Sequence, residues 1–504
     1  MIFDNVVANF HKKSYNNYMR TATIIIRDEV NVKIEGLELD ARRALVNAFK
    51  YDVPGARYLP AVRLGRWDGK VSYFQLGGSS YVNLLPEIIP ILEKFNYDIE
   101  LDDQREYSTT FEFQAVTEQT FSHISWGKGH PLEGEPMVMR DYQVEVINRF
   151  LENPQCIQEV ATGAGKTVIT AALSNAVAPH GRTIVIVPNK SLVTQTEKDY
   201  INMQQDVGVF FGDRKEFGRQ HTICTWQSLN VLLKNTKNSV GNVTIQEFLE
   251  DVVCVIVDEV HMAKADALKT LLTGVMSRVQ LRWGLTGTVP KEPYEFQALK
   301  CSLGPVINQL SASELQDRGV LAQCHVNVVQ LVDHAEFTNY QSELKFLLEE
   351  PDRLKTMAGL IAQVNATGNT LVLVDRVAAG HALAELLGEA AVFVSGATKA
   401  KARQDEYDEI SVSSGKIIIA TYGIAAVGIN IPRIFNLVLI EPGKSFVRVI
   451  QSIGRGIRKA EDKDHVEIWD VTSTCKFAKR HLTKRKAFYK EANYPFTQEK
   501  LEWK

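Results

Sequence analysis

Short apolar runs rich in β-branched residues recur from about residue 141 onward, at 183–187, 252–257, 370–374, 416–420 and 437–440, with amphipathic stretches between them. Runs of four to six apolar residues suit strands buried on both faces of a parallel sheet, and the stretches between suit covering helices. The pattern occurs twice, on either side of a break near 310–321, which predicts two α/β lobes, 121–315 and 316–504. Before residue 120 the texture changes. Strands are predicted at 21–26, 30–34 and 71–75 and helices at 40–50 and 85–95. These describe a small α+β domain, 1–120, joined to the rest through a Gly- and Pro-containing stretch at 127–136. The expected fold class is α/β, two tandem parallel-sheet lobes preceded by a small α+β N-terminal domain.

Length agrees with this division, since 504 residues exceed what one core organises. The longest apolar runs are far too short to cross a bilayer, and the first residues lack the apolar core of a signal peptide. A cytosolic protein with no membrane partner is expected. Six cysteines (Cys156, Cys224, Cys254, Cys301, Cys324 and Cys475) form no CxxC pair, and several lie inside apolar runs, so buried free thiols are expected rather than a metal site. A net charge of −3 argues against a nucleic-acid coat protein. Positive charge is instead local. Residues 42–70 hold seven basic residues against Asp52 and Asp68, and residues 476–490 hold seven basic residues and no acid. Either stretch could follow a phosphate track or be a solvated helix face.

The strongest candidate chemistry lies at Ala161-Thr162-Gly163-Ala164-Gly165-Lys166-Thr167, behind an apolar run and ahead of a helix-compatible segment. Gly163 and Gly165 allow backbone N–H groups to curl around phosphate oxygens, and the following helix N-terminus adds its dipole. Lys166 is placed to reach the β- and γ-phosphates of ATP, and Thr167 to ligate Mg²⁺. The strict form of this loop would carry glycine where the chain has Val160. A second buried-strand pattern, 252–257, ends in Asp258-Glu259-Val260-His261. A carboxylate at the tip of the strand beside the phosphate loop holds Mg²⁺, which assigns Asp258, and Glu259 is placed to orient and deprotonate the attacking water.

Asp258-Glu-Val-His261 has the form of a DExH box, and with the ordered motifs around it the chain resembles the superfamily 2 helicases over residues 140–459. The resemblance implies two RecA-like lobes and an ATP-driven nucleic-acid motor. Arg140-Asp-Tyr-Gln143 resembles the adenine-reading segment, so Arg140 and Gln143 would join 162–167 in binding nucleotide. Segments 187–195 and 225–229 resemble motifs Ia and Ib, and Leu285-Thr-Gly-Thr288 resembles motif III. In the second lobe, 371–377 resembles motif IV and 420–432 motif V, which contributes Gly428. Asn430 there stands where many relatives carry Asp. Gln451-Ser-Ile-Gly-Arg-Gly-Ile-Arg458 matches motif VI, which implies catalytic roles for Gln451, Arg455 and Arg458. The arginines would act as fingers on the γ-phosphate.

The same resemblance places track contacts at Asn189, Lys190, Thr225, Gln227 and Thr421. Trp126 stands where some relatives carry an adenine-stacking aromatic, or else it is a core residue. The whole chain, N-terminal region included, resembles a bacteriophage branch of the superfamily. That implies branched double- and single-stranded DNA as partner, RNA–DNA hybrids in R-loops, and fork regression, branch migration and strand annealing as activities. A monomer in the host cytosol is expected. In the N-terminal domain, Arg63, Arg66 and Lys70 are candidate phosphate contacts, and Trp67 is either a stacking residue or a packed residue before an Asp68-Gly69 turn. An RNA helicase, the motor of a restriction system and a non-catalytic annealing module stay open. The restriction reading needs a strand-borne carboxylate pair followed by E-x-K; Glu502-Trp503-Lys504 has the tripeptide's form at the terminus and lacks an upstream carboxylate partner.

Overall fold

The computed structural model describes residues 20–503 except 107–109, 128–131, 236–242, 261–264, 399, 429–430, 432, 446–448, 450–451, 455 and 461. His261, Asn430, Gln451 and Arg455 therefore lie outside the described residues. The chain divides into two compact units, 1–159 with 166–309, and 310–504 with the loop 160–165.

The first unit begins with β1 (Arg20–Ile26), β2 (Asn31–Glu35), α1 (Leu39–Ala48), β3 (Lys50–Asp52), α2 (Pro60–Arg63), β4 (Lys70–Ser72), β5 (Ser79–Tyr81), α3 (Leu85–Lys94) and β6 (Tyr97–Asp103). Four strands form one sheet in the order β5-β2-β1-β6, and β3 and β4 pair separately as an antiparallel ribbon. Alternation along β1 and β2 sends Ala22, Ile24, Ile26, Val32 and Ile34 into a core closed by Leu45, Ile88 and Leu92. The strand expected over 71–75 spans Lys70–Ser72 instead, and beyond it the Phe74 amide donates back to Ser72 Oγ at 3.4 Å.

The rest of this unit builds an eight-stranded sheet from β7 (Gln155–Val160), β8 (Arg182–Val187), β9 (Val207–Phe211), β10 (Arg214–Lys215), β11 (His221–Thr225), β12 (Val252–Val257), β13 (Leu281–Thr286) and β14 (Val306–Leu310). Their order is β10-β9-β11-β8-β12-β13-β7-β14. The paired registers from β9 to β7 are parallel, and β10 runs antiparallel to β9. Strand β13 lies between β7 and β12, so the Asp258 strand is one strand removed from β7. The apolar run 281–286 belongs in the middle of the sheet, where both its faces are buried. Around the sheet lie α4 (Asp141–Leu151), α5 (Lys166–Val177), α6 (Lys190–Asn202), α7 (Trp226–Asn235), α8 (Ile245–Phe248), α9 (Ala265–Thr273) and α10 (Pro293–Leu303).

The α+β segment shares a core with this sheet's helices. Tyr294, Ala298 and Cys301 of α10 belong to the cluster formed by β1, β2 and α3. Tyr73 Oη donates to the Tyr294 carbonyl at 2.9 Å, and the Glu29 amide donates to the Ser277 carbonyl at 3.0 Å.

The second unit contains α11 (Ala312–Asp317), β15 (Gln323–Leu331), α12 (Tyr340–Glu349), α13 (Pro351–Asn365), β16 (Thr370–Val374), α14 (Val377–Leu387), β17 (Ala391–Val394) and α15 (Ala400–Val412). It continues through β18 (Ile417–Thr421), α16 (Tyr422–Gly428), β19 (Asn436–Ile440), β20 (His465–Ser473), α17 (Lys476–Glu491) and β21 (Phe496–Leu501). Its seven strands, ordered β17-β18-β16-β19-β20-β15-β21, are parallel throughout. The basic stretch 476–490 is helix α17, held into the fold rather than hanging from it. Arg485 is fully buried and makes a two-pronged pair with Asp470 at 2.8 and 2.9 Å, and Tyr489 donates to the same carboxylate. Glu343 accepts the Phe477 and Ala478 amides and so caps the helix start. All six cysteines are buried and free, and no described helix is long and apolar enough to cross a membrane.

Candidate active site

The loop after β7 turns where its glycines allow it. Gly163 and Gly165 sit at φ 92° and 81°, the left-handed region that a side chain resists. Helix α5 starts at Lys166, so its free N–H groups and dipole face the loop. Lys166, 9% exposed, places Nζ 3.1 Å from Glu259 Oε1. The phosphate-loop lysine and the DExH glutamate are thus brought together although β13 separates their strands.

Glu259 is held with φ 51°, a conformation that costs a non-glycine residue of order 1–3 kcal/mol and clusters at functional sites. Its amide donates to Asp258 Oδ1 at 2.9 Å, and its Oε2 accepts from the Gly287 amide at 3.5 Å. One carboxylate therefore touches both the phosphate-loop lysine and motif III. Asp258 is buried; burial first, then the neighbouring Glu259 charge, pushes its carboxyl up to about 7. A buried carboxylate beside a second one is favoured in its charged form by a nearby divalent cation. That fits Mg²⁺, which commonly binds through one or two carboxylates, water and substrate phosphates. Among the described residues no cluster of three or more His, Cys, Asp or Glu is arranged to hold a metal, and this mode of binding needs none.

Sequence reasoning missed Asp199, on α6, whose carboxyl hydrogen-bonds the Thr167 side chain; burial pushes it up to about 6. No motif marks it, and only its position on the helical face of 190–202 could have suggested it. Gln143 Oε1 accepts the Arg140 amide at 3.0 Å, fixing the start of α4, and Arg140 Nη1 donates to Tyr142 Oη. Trp126 is half-buried, its backbone paired with Glu135 and Gly134, so it is not a core tryptophan.

Within the second unit, loop 160–165 lies beside motif VI. A Cβ on Gly163 would stand 3.9 Å from Arg458 Cγ, and one on Gly454 3.0 Å from Thr162 Cβ. The backbone carrying Arg458 is pinned by a buried lysine that the sequence did not reveal. Lys463 Nζ donates to the Gly456 and Arg458 carbonyls at 2.6 and 2.7 Å. Burial, then the Arg458 charge, lowers its pKa to about 7. Gly428 ends α16.

Of the expected track residues, Asn189 caps α6 by accepting the Leu192 amide, while its buried Nδ2 has no acceptor among the described residues. Lys190 and Gln227 are exposed and Thr421 is half-buried. Thr225 departs from expectation: it is 4% exposed, and its hydroxyl accepts the Ser228 amide at the start of α7, leaving little side chain for a track. In the α+β segment, Arg63, Arg66 and Lys70 are exposed and Trp67 is half-buried. Trp67 Nε1 donates to the Lys70 carbonyl, and Lys70 Nζ pairs with Asp52 at 3.3 Å. The ring N–H of Trp67 is thus engaged within the turn, and the Lys70 ammonium lies beside an acid.

Residues 136–291 match the family described as type III restriction enzyme, res subunit, and residues 352–460 match the helicase conserved C-terminal domain. The ATP-dependent DNA helicase uvsW of Enterobacteria phage T4 is 24% identical over 469 residues, 88% of this chain and 89% of that one. The chain is a superfamily 2 helicase. The DNA 3'-5' helicase XPB of Mycobacterium tuberculosis is 27% identical to this helicase over 203 residues, 39% of this chain and 35% of that one. The structure of the ATP-dependent type ISP restriction-modification enzyme LlaBIII bound to DNA covers 80% of this helicase, which spans 33% of that chain. Its TM-score of 0.53 at 15% identity is a likeness of fold.

Proposed function

We propose that this helicase is an ATP-driven motor on branched DNA, regressing forks, migrating junctions, annealing strands and removing RNA from R-loops. ATP-dependent DNA helicase activity is its general function. The observation that carries the motor reading is the Lys166–Glu259 pair at 3.1 Å, with Glu259 also touching Gly287. Support for DNA as the track comes from a likeness to the ATP-dependent DNA helicase uvsW that spans 88% of the chain, and branched DNA is what the sequence resemblance implies.

In this reading the backbone N–H groups of 163–165 and the start of α5 take the phosphates, and Lys166 exchanges Glu259 for the γ-phosphate. Freed from the lysine, Glu259 accepts a proton from the attacking water, and its contact with Gly287 passes the change to motif III. Asp258 and Thr167 would hold Mg²⁺, which supplies charge neutralisation on the phosphates. Gln143 and Arg140 would read adenine, and Arg458, with Arg455 and Gln451, would meet charge developing on the γ-phosphate. Planar guanidinium suits that charge better than ammonium. The protein would act as a monomer in the cytosol, with ATP and Mg²⁺ as small ligands.

The test is Lys166→Ala. ATP-dependent unwinding of a forked duplex should vanish, while nucleotide-free fork binding stays within a few-fold of wild type. Unaltered unwinding would overturn the motor reading.

A further inference from the structure

Between β3 and β4 the chain makes an excursion whose residues 53–67 include three arginines and no acid. A 3-10 turn, Ala56–Tyr58, and the short helix α2 form its tip. The tip presents Tyr58, Leu59 and Leu64 to solvent, 68%, 47% and 64% exposed. Single exposed apolar residues need no explanation, but three large ones within seven residues mark a contact surface.

The charges around them are arranged unevenly. At the stem, Lys50 pairs with Asp68 at 2.6 Å and Lys70 with Asp52 at 3.3 Å, so the lysines are cancelled. At the tip, Arg63 and Arg66 are exposed and form no ion pair among the described residues. Arg57 lies 4.8 Å over the Tyr58 ring and donates to its hydroxyl, which fixes the ring's direction. The tip is also mounted rigidly. The Val53 amide donates to the Gly69 carbonyl, and Tyr51 packs edge-on against Tyr73 at 5.8 Å. Tyr73 in turn is bonded to Tyr294 of α10.

An apolar, aromatic tip ringed by unpaired arginines matches one surface in particular: the exposed face of a base pair flanked by phosphates. A continuous duplex hides its base faces; a branch point does not. We propose that this knob is a wedge that seats on the base pair at a DNA branch point, with Tyr58 and Leu64 against the base and Arg57, Arg63 and Arg66 on phosphates of the diverging arms. This rests on the branched-DNA reading above and gives it a physical means of recognition. Stacking of a base on a protein side chain is worth about 5–150-fold in affinity, available only where a base face is free.

The test compares wild type, Tyr58→Ser/Leu64→Ser and Arg57→Ala/Arg63→Ala/Arg66→Ala on a fork and a linear duplex of the same length. The fork carries 2-aminopurine at its first paired position. Wild type should bind the fork more tightly and dim the probe, because a ring stacked on 2-aminopurine quenches it. The apolar variant should lose at least about 5-fold of the fork-over-duplex preference and the dimming, at unchanged salt dependence. The arginine variant should lose part of the preference, because its contacts are to the diverging arms, and should flatten the log–log salt slope of fork binding by about 2–3; an unchanged slope would take the arginines out of the wedge. Because all five side chains lie on the exposed tip, circular dichroism and melting temperature should match wild type. If wild type shows no fork preference, the branched-DNA reading and the wedge both fall. If wild type prefers forks and the apolar variant does so equally, or loses fork and duplex binding alike, only the wedge falls, and the patch belongs to another partner or to general duplex contact.

Discussion

Replacing Glu259 by glutamine separates the two jobs that the site gives this residue. The amide has the carboxylate's shape, so the contact to Gly287 and the turn at φ 51° can survive. What disappears is the negative charge 3.1 Å from Lys166, in surroundings where the two side chains are only 12% and 9% exposed. A charged hydrogen bond in such a place is worth about 1.5–3 kcal/mol net, and the amide oxygen retains part of it. Releasing the lysine toward phosphate should therefore tighten ATP binding by roughly 3–30-fold. Loss of the base should lower turnover by about 10²–10⁴-fold. Affinity and turnover would then move in opposite directions, which general disruption of the site does not produce. Equilibrium binding of a fluorescent ATP analogue and single-turnover hydrolysis on forked DNA measure the two. Turnover within about threefold of wild type would show that Glu259 does not act on the attacking water.

Three other substitutions test neighbouring parts of the account. Arg458→Ala should lower turnover by about 10³-fold with ATP affinity changed by only a small factor; a rise in KM at normal kcat would reduce Arg458 to a binding residue. Arg485→Ala leaves the buried Asp470 carboxylate without its two-pronged partner, which should cost about 3–5 kcal/mol in urea unfolding. The exposed neighbour Lys484→Ala should stay within about 0.5 kcal/mol of wild type, and equal effects would refute the contrast. Burial lowers His221 to about 4, with Asp206 opposing the shift. The unfolded chain then binds more protons from about pH 6.5 down to 4, so stability falls as pH falls through that window. His221→Leu should flatten the fall in urea midpoint between pH 7.5 and pH 5; a variant as acid-sensitive as wild type would contradict this.

The motifs were legible because ATP chemistry demands particular residues at fixed spacing. Gly163 and Gly165 do adopt positive φ, and the buried run 252–257 does end at the acidic pair. Strand order was not legible. The run 281–286 looks like any other buried strand, so nothing local reveals that it separates β12 from β7. Side-chain partners were equally hidden, since charge counts do not say which charges meet. Residues 42–70 and 476–490 both read as basic patches. Asp52 and Asp68 cancel lysines in the first, and Asp470, distant in sequence, buries Arg485 in the second. Asp199 and Lys463 act on Thr167 and Arg458 through tertiary contacts that leave no trace in spacing.

The central claim is that ATP hydrolysis in this protein is coupled to branched DNA. Its most direct test is the steady-state ATPase rate at saturating Mg²⁺·ATP, measured side by side with forked DNA, linear duplex, linear single strand and RNA at equal nucleotide concentration. The account predicts the highest stimulation, at the lowest half-saturating concentration, with the fork, and little with RNA. Equal stimulation by fork and linear DNA, or the highest stimulation by RNA, would contradict it.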